Sequence, residues 1–153
     1  MESTKLKIGD VAPTWTLGGT VNSDVSLESF KGEKNVVLLF YALDFSPACA
    51  LQLPTYQNRK SEFDQRDTVL FGISTDSKWS HKAFSEQLGL EFPLLSDYQR
   101  KVSDAYGVLR PEGYTNRAVF VIDKAGIIRY IDITSPADQP DQQEVLKVLE
   151  TLL

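Results

Sequence analysis

The residues Y-A-L-D-F-S-P-A-C-A-L-Q, numbers 41–52, hold the chain's only cysteine, Cys49, in a context that predicts the start of a helix. An unbroken apolar run at residues 36–41 leads into them and is typical of a strand buried on both faces. Ser46 suits the N-cap, and Pro47 suits the first helical position, where no N–H is needed. Cys49 then occupies the third helical position, where an anion faces free N–H groups. The stretch therefore predicts a thiolate stabilised at a helix N-terminus.

A helix N-terminus does not by itself explain a reactive thiolate at neutral pH. Lowering the pKa of a cysteine by two units requires about 2.7 kcal/mol in favour of the anion. A helix N-terminus supplies roughly 0.3–1 kcal/mol and at most about 2 kcal/mol. A second cation is needed, and Arg117, at the start of a predicted strand, is the candidate. The single histidine, His81, is interpreted as a structural residue that helps to cap its own helix.

Length, charge and cysteine count limit the classes of protein to which the chain can belong. We expect its 153 residues to form one domain, spanning 1–153. A net charge of −5 argues against nucleic acid and acidic membranes as partners, and no apolar stretch approaches a membrane span. One cysteine forms no internal disulfide, and residues 1–10 lack the core of a signal peptide, so we expect a cytoplasmic protein. One Cys and one His do not complete a zinc shell, and we expect no metal or other cofactor.

The remaining chain alternates between strand and helix patterns. Residues 7–17 are expected to form a loop that enters a short edge strand, with a partner strand at 25–27. Longer strands are expected at 36–41, 68–74, 118–123 and 127–133, with an extended piece at 92–95. Helices are expected from residue 47 to about 67 with an interruption at Pro54, then at about 79–88, 100–106 and 139–153. Asp76 or Ser77 should cap the second helix and Gly89 should end it. This order predicts a three-layer α/β/α domain with a mixed central sheet.

Several ordered motifs resemble the peroxiredoxins of the alkyl hydroperoxide reductase and thiol-specific antioxidant family. They extend over residues 7–133 and comprise G-D-V-A-P at 9–13, F-K-G at 30–32, D-F-S-P-A-C at 44–49, S-T-D-S at 74–77, S-H at 80–81, F-P-L-L-S-D at 92–97, A-Y-G-V at 105–108 and N-R at 116–117. The resemblance implies a thioredoxin-like fold and a thiol-dependent peroxidase.

The active-site pattern of that family is Pro-x-x-x-Thr/Ser-x-x-Cys together with an arginine on a strand. The resemblance implies that Cys49 attacks the peroxide and that the Ser46 hydroxyl hydrogen-bonds it. It also implies that Arg117 favours the thiolate and orients the substrate. The backbone amides of Ala48 and Cys49 are further donors to the peroxide, because neither residue is proline.

One position departs from the pattern, because Ala42 stands where the family has proline. In the family this ring helps to shield the thiolate, so its loss predicts a change in peroxide rate and in resistance to over-oxidation. Tyr41 and Phe45 lie close enough in sequence to Cys49 to form walls of a substrate pocket together with Ala42 and Ala48.

A second departure concerns the catalytic cycle. The chain resembles the short single-cysteine members of alkyl hydroperoxide reductase E type, although Gln52 is similar to the bacterioferritin-comigratory branch. Members of that branch often carry a resolving cysteine five residues after the first, where this chain has Pro54. The resemblance therefore implies that an external thiol recycles the Cys49 sulfenic acid: a thioredoxin, a glutaredoxin, a mycoredoxin or a small thiol. It also implies a homodimer built beside the Cys49 loop.

Two other functions remain open at this point. A thiol–disulfide reductase would have the same fold, but Ser46 occupies the place of the first cysteine in a Cys-x-x-Cys motif. Alternatively, Ala42 marks a weakened site, and the protein is a redox sensor or a binding protein with reduced peroxidase activity.

Overall fold

The computed structural model describes residues 5–134 and 142–153. The described strands are β1 Thr16–Leu17, β2 Val25–Ser26, β3 Asn35–Phe40, β4 Thr68–Ser74, β5 Leu94–Ser96, β6 Arg117–Ile122 and β7 Ile128–Thr134. The described helices are α1 Pro47–Asn58, α2 Lys60–Asp64, α3 Lys78–Leu88, α4 Lys101–Ala105 and α5 Gln142–Glu150, with a 3₁₀ helix at Leu27–Phe30.

The central sheet has the strand order β5-β4-β3-β6-β7. The strands β3, β4 and β5 run parallel, whereas β6 and β7 are antiparallel additions on the other side of β3. Every residue of β3 is buried, as its unbroken apolar sequence predicts for a central strand covered on both faces. The mixed sheet is therefore confirmed, and β1 pairs with β2 in a separate two-stranded sheet.

Helices cover one face of the sheet, while the N-terminal segment and a short helix cover the other. The first core joins alternate β3 and β6 residues to helical residues: Val37, Leu39, Tyr41, Val119 and Val121 with Cys49, Leu53, Tyr56, Phe63, Phe84, Val145, Leu146 and Leu149. The second core joins the opposite faces of the same strands to Trp15, Leu27, Val102 and Tyr106. This arrangement confirms the predicted three-layer α/β/α architecture.

The ends of α3 follow the predicted capping rules. The Ser77 hydroxyl accepts a hydrogen bond from the Ser80 amide at 3.2 Å, and Gly89 ends the helix in the left-handed conformation with φ 66°. The last helix is observed as α5, which ends at Glu150 rather than at the predicted residue 153. Residues 139–141 of that prediction lie outside the described part of the chain.

The helical pattern is not interrupted at Pro54 as predicted, and the kink expected there stays a prediction. The helix α1 continues through Pro54 to Asn58, and the break comes at Arg59, with φ −109° and ψ 14°, before α2 begins. Pro54 removes one intrahelical hydrogen bond. Leu53 and Tyr56, on either side of it, are both wholly buried in the core. Their packing offsets the lost bond, because tertiary burial contributes more to helix stability than intrinsic propensity does.

The carboxyl ends of β3 and β4 meet the amino end of β6 at one edge of the sheet, since β6 runs antiparallel to β3. A side chain joins the segments there: the Thr115 hydroxyl donates to the Tyr41 carbonyl at 2.7 Å. The fold thus brings the loop before α1 and the start of β6 to the same place.

Candidate active site

Several polar groups in the first turn of α1 make no hydrogen bond within the described residues. Ser46 occupies the N-cap with φ −67° and ψ 141°, and Pro47 follows at the start of the helix, both as predicted. The Ser46 hydroxyl, however, makes no capping hydrogen bond. The first helical bond runs from the Ala50 amide to the Ser46 carbonyl at 2.9 Å. Within residues 5–134 and 142–153, the amides of Ala48 and Cys49 donate to no partner, so two N–H groups remain for an anion.

Cys49 is a free cysteine with none of its surface exposed. It belongs to the core cluster that also contains Tyr41, Ala42, Leu53 and Val119. Few waters can screen a charge in such surroundings, so electrostatic interactions with nearby dipoles and cations are stronger than at the surface. A thiolate at this position would therefore respond strongly to the helix amides and to any buried cation.

Arg117 supplies a buried cation at this edge of the sheet. It is the first residue of β6, and its side chain is wholly buried. Side chains alternate along a strand, so Arg117 shares a face with Val119 and Val121, which pack in the same cluster as Cys49. The predicted position of Arg117 at the start of a strand is confirmed. Its catalytic role stays a prediction.

Phe45 lies just before the N-cap in a conformation that bulky residues rarely adopt. Its φ is 67°, in the left-handed region, and such strain persists only where the surroundings fix the backbone. The residue is 48% exposed, and its ring packs against Phe84 with a centroid distance of 4.9 Å. The loop that leads into Cys49 is therefore held in one shape, and Phe45 presents part of its ring to solvent beside the helix.

Tyr41 and Ala42, predicted as walls of a substrate pocket, are both buried in the structure. Ala42 is almost wholly buried and Tyr41 is wholly buried. The Tyr41 hydroxyl donates to Asp44 Oδ1 at 2.6 Å. Burial, followed by the negative charge of Asp44, raises the pKa of Tyr41 well above its ordinary value, so the phenol stays protonated. Tyr41 therefore anchors the loop through a hydrogen bond, and its contact with substrate stays a prediction.

A buried Tyr41–Asp44–His81 network lies behind the loop, and the sequence alone did not reveal it. His81 Nε2 donates to the Leu95 carbonyl at 2.9 Å, and His81 Nδ1 lies 2.8 Å from Asp44 Oδ2. A carbonyl oxygen only accepts hydrogen bonds, so Nε2 carries a hydrogen, while Nδ1 contacts the Asp44 carboxylate and, at 3.2 Å, the Tyr41 hydroxyl. The prediction that His81 helps to cap its helix is wrong, because its imidazole binds the loop before α1 instead.

Asp76 holds the same loop through its backbone. Its Oδ2 accepts from the Asp44 amide at 2.8 Å and from the Ser74 hydroxyl at 2.5 Å. One ligand-type atom from each of Asp44, Asp76 and His81 lies within 4.8 Å of the others, the spacing of a possible metal site. These atoms already bond one another or other protein groups. We therefore interpret the cluster as a support that fixes the loop ahead of Ser46 and Cys49.

Comparison with known proteins relates this site to one family. A model of the AhpC/TSA family matches residues 8–131. Alkyl hydroperoxide reductase E of Mycobacterium tuberculosis is 37% identical, over 90% of this chain and 92% of its own. A chloroplastic 2-cysteine peroxiredoxin of Chattonella marina is 32% identical, over 96% of this chain and 80% of its own.

A solved structure gives the same relationship. The reduced 2-Cys peroxiredoxin of Plasmodium vivax superimposes with a TM-score of 0.86 at 30% identity, covering 94% of each chain. The thioredoxin-like fold implied by the sequence motifs is therefore confirmed. Among the residues that the structure describes, no helix is long and apolar enough to cross a membrane.

Proposed function

Because the chain belongs to the AhpC/TSA family and is a thiol-dependent peroxidase of the peroxiredoxin type, we propose that it reduces hydroperoxides by a one-cysteine cycle centred on Cys49. One observation carries this proposal: Cys49 is the only cysteine of the chain, and it lies in the first turn of α1 with open amides beside it. The 2-cysteine peroxiredoxin of Chattonella marina is named for two cysteines, whereas this chain has one cysteine.

In the proposed reaction the Cys49 thiolate attacks the terminal oxygen of the hydroperoxide. An S–O bond forms, the O–O bond breaks, and the alkoxide leaves as an alcohol, or as water from hydrogen peroxide, after taking up a proton. The sulfur, oxidised by two electrons, becomes a sulfenic acid. Negative charge moves from sulfur to the leaving oxygen, so the site must stabilise an anion at both places.

Four groups have proposed roles in that step. Arg117 provides the fixed positive charge that favours the thiolate and polarises the peroxide. The Ser46 hydroxyl and the amides of Ala48 and Cys49 donate hydrogen bonds to the peroxide oxygens. Their openness in the absence of substrate supports this role, since pre-oriented donors need no rearrangement when charge develops.

An external thiol then completes the cycle. Its sulfur attacks the Cys49 sulfenic acid, a mixed disulfide forms and water leaves. A second thiol attacks the mixed disulfide and releases Cys49. The candidates are a thioredoxin, a glutaredoxin, a mycoredoxin or a low-molecular-weight thiol. Cys49 has no exposed surface, so the first turn of α1 must move before any of these reductants reaches its sulfur.

The proposed cycle is tested by stopped-flow tryptophan fluorescence on pre-reduced protein mixed with hydrogen peroxide or an organic hydroperoxide. Intact mass spectrometry then counts the oxygens added, and Cys49→Ser is the control. We expect a rate constant orders of magnitude above that of a free thiol, with one oxygen added to the wild type and none to the control. A rate like that of a free thiol would contradict the proposal. It would favour the alternative that Ala42 suggests, a redox sensor or binding protein with weakened peroxidase activity.

The same loop supports the proposal of a homodimer. Leu43, Phe45 and Leu51 lie close together in sequence around Cys49 and are 40%, 48% and 68% exposed, respectively. Exposed apolar side chains in one place favour association with another surface. Sedimentation velocity on the wild type and on Leu51→Lys tests this expectation, with a shift of the variant toward monomer as the supporting result and two identical profiles as the contrary one.

A further inference from the structure

The buried face of α1 carries an unexpected polar residue. The buried residues of this helix are Cys49, Gln52, Leu53 and Tyr56. Gln52 is only 3% exposed, and its Oε1 atom accepts no hydrogen bond from the residues that the structure describes. A buried acceptor without a donor destabilises the folded state and calls for a specific explanation.

Gln52 is the neighbour of Cys49 on the helix surface. Residues three positions apart in an α-helix lie on the same side, with their Cβ atoms about 5–6 Å apart. Both side chains point into the packed side of α1, where almost no water reaches them. A thiolate has no hydrogen to donate, so the Gln52 carbonyl stays without a donor while Cys49 is reduced.

Oxidation of Cys49 creates the missing donor, because a sulfenic acid carries an O–H group. We propose that Gln52 Oε1 accepts a hydrogen bond from the Cys49 sulfenic acid and keeps this intermediate protonated until the external thiol arrives. This inference rests on the proposed function, since it needs the sulfenic acid to form. Gln52 thereby acts on the second half of the cycle, whereas Arg117 and Ser46 act on the first.

Protonation of the sulfenic acid matters because its anion is the form that reacts with more peroxide. The sulfenate sulfur attacks the terminal oxygen of a second hydroperoxide, a second S–O bond forms, the O–O bond breaks and the alkoxide leaves with a proton. The product is a sulfinate, the anion of a sulfinic acid, which thiols do not reduce. A hydrogen bond to the O–H form lowers the fraction of sulfenate and therefore slows this loss of enzyme.

The residue type fits the task. Glutamate at position 52 would also accept a hydrogen bond, but its negative charge would oppose the Cys49 thiolate. Leucine would suit the apolar surroundings but has no acceptor. Glutamine provides a neutral acceptor, and that combination is needed beside a group that is an anion in one state and a donor in the next. In the structure Oε1 makes no hydrogen bond with Arg117, so Gln52 is not engaged in the thiolate machinery of the reduced enzyme.

The test measures over-oxidation in Gln52→Leu. Pre-reduced protein is mixed with excess hydrogen peroxide, and intact mass spectrometry follows the species with one and with two added oxygens over time and pH. We expect the rate constant for the second oxidation to rise about tenfold, and its pH inflection to move down by about one unit, the change in pKa that corresponds to tenfold. Gln57→Leu is the matched control, since Gln57 lies on the same helix and its Oε1 accepts from the Glu91 amide at 2.7 Å.

Other results would overturn the inference. A second oxidation with the wild-type rate and pH profile in Gln52→Leu would show that Oε1 does not bind the sulfenic acid. A variant that slows only the first oxidation would show that Gln52 serves the thiolate instead. If Gln52→Leu folds poorly, Gln52→Met gives the same readout with a more adaptable side chain. Wild-type protein that forms no species with one oxygen would overturn the proposed function as well, which distinguishes the two failures.

Discussion

Two helices of this protein begin in the same way and differ in what their first turns do. Both α1 and α3 follow the carboxyl ends of neighbouring parallel strands, and both have an extended serine at the N-cap, Ser46 and Ser77. The Ser77 hydroxyl caps its own helix through the Ser80 amide. The Ser46 hydroxyl makes no capping bond, and the third helical position carries Cys49 where α3 has Ser80.

The difference in capping between α1 and α3 is a difference between a helix start that serves stability and one that can serve binding. A capped helix start has used its donors internally and has little to offer a ligand. An uncapped start keeps its amides and its hydroxyl available at a cost in stability. The loop before α1 is instead held from outside, by Asp76 on the Asp44 amide and by His81 on the Asp44 carboxylate. The protein thus replaces local capping with tertiary support at the helix where chemistry is proposed.

Moving the cysteine from α1 to α3 should have the largest effect on the peroxide rate constant. In a Cys49→Ser/Ser80→Cys double variant we expect the peroxide rate constant of a free thiol, orders of magnitude below the wild type. The transferred thiol would occupy the third position of a helix whose N-cap serine already bonds its own helix. Among the described residues the buried arginine is Arg117 on β6, which neighbours neither β4 nor β5, the strands that flank α3 in sequence. Stopped-flow fluorescence with hydrogen peroxide measures this rate. A double variant that keeps wild-type speed would mean that any helix start in this fold activates a cysteine.

Removing the buried cation should have the next largest effect. We expect Arg117→Met to lower the peroxide rate constant by about 10²–10³, as the loss of one fixed electrostatic donor does in other enzymes. The pH inflection of the rate should also move upward, because the thiolate loses a favourable charge. Arg117→Lys should retain part of the rate, since it keeps the charge without the planar fork. The control is Arg129→Met, on the adjacent strand β7, where the side chain is 45% exposed and pairs with Asp123. It should leave both the rate and its pH inflection unchanged. If Arg117→Met behaved like this control, Arg117 would have no role in the mechanism.

Exchanging the two N-cap serines for alanine should give opposite results. Ser46→Ala should reduce the peroxide rate about tenfold to a hundredfold, the value of one hydrogen bond to a charged group, with little change in stability. Ser77→Ala should lower the free energy of unfolding by about 0.5–2 kcal/mol with the peroxide rate unchanged. Urea unfolding and stopped-flow kinetics on both variants provide the comparison. Equal losses of stability in the two variants would show that Ser46 caps its helix in solution.

The smallest expected change is the restoration of the family proline. The Ala42 amide donates no hydrogen bond within the described residues, so Ala42→Pro removes none. We expect an increase of about 0.4–1 kcal/mol in stability from reduced freedom of the unfolded chain. We also expect slower over-oxidation, because the ring would shield Cys49. Thermal unfolding and mass spectrometry under excess peroxide measure the two effects, and faster over-oxidation in the proline variant would contradict the shielding role.

Local patterns predicted most of the fold and the start of the cysteine-bearing helix. The apolar run of β3 and the Ser46–Pro47 pair identified a buried strand and a helix start, because both depend on neighbouring residues alone. Pro54 was misjudged because burial of Leu53 and Tyr56 outweighed a local rule. Arg117 lies at the start of a strand, as the apolar run that follows it predicts.

The Tyr41–Asp44–His81 network could not be predicted in the same way. His81 and Asp44 are 37 residues apart in sequence, and their contact requires α3 and the loop after β3 to lie side by side. Nothing in the residues around His81 indicates a carboxylate partner. The difference in hydrogen bonding between the two N-cap serines could not be predicted either. The same residue type with similar backbone angles caps α3 but not α1.

The place of Arg117 on the strand paired with β3 has a consequence for the chain while it is being made. The ribosome releases Cys49 well before Arg117, and β6 cannot pair with β3 until both have emerged. With Arg117 in its proposed role, Cys49 in a nascent or partly folded chain is an ordinary thiol. The protein would acquire its sensitivity to peroxide only when the central sheet is complete, which protects unfinished molecules from the reaction that they are made to perform.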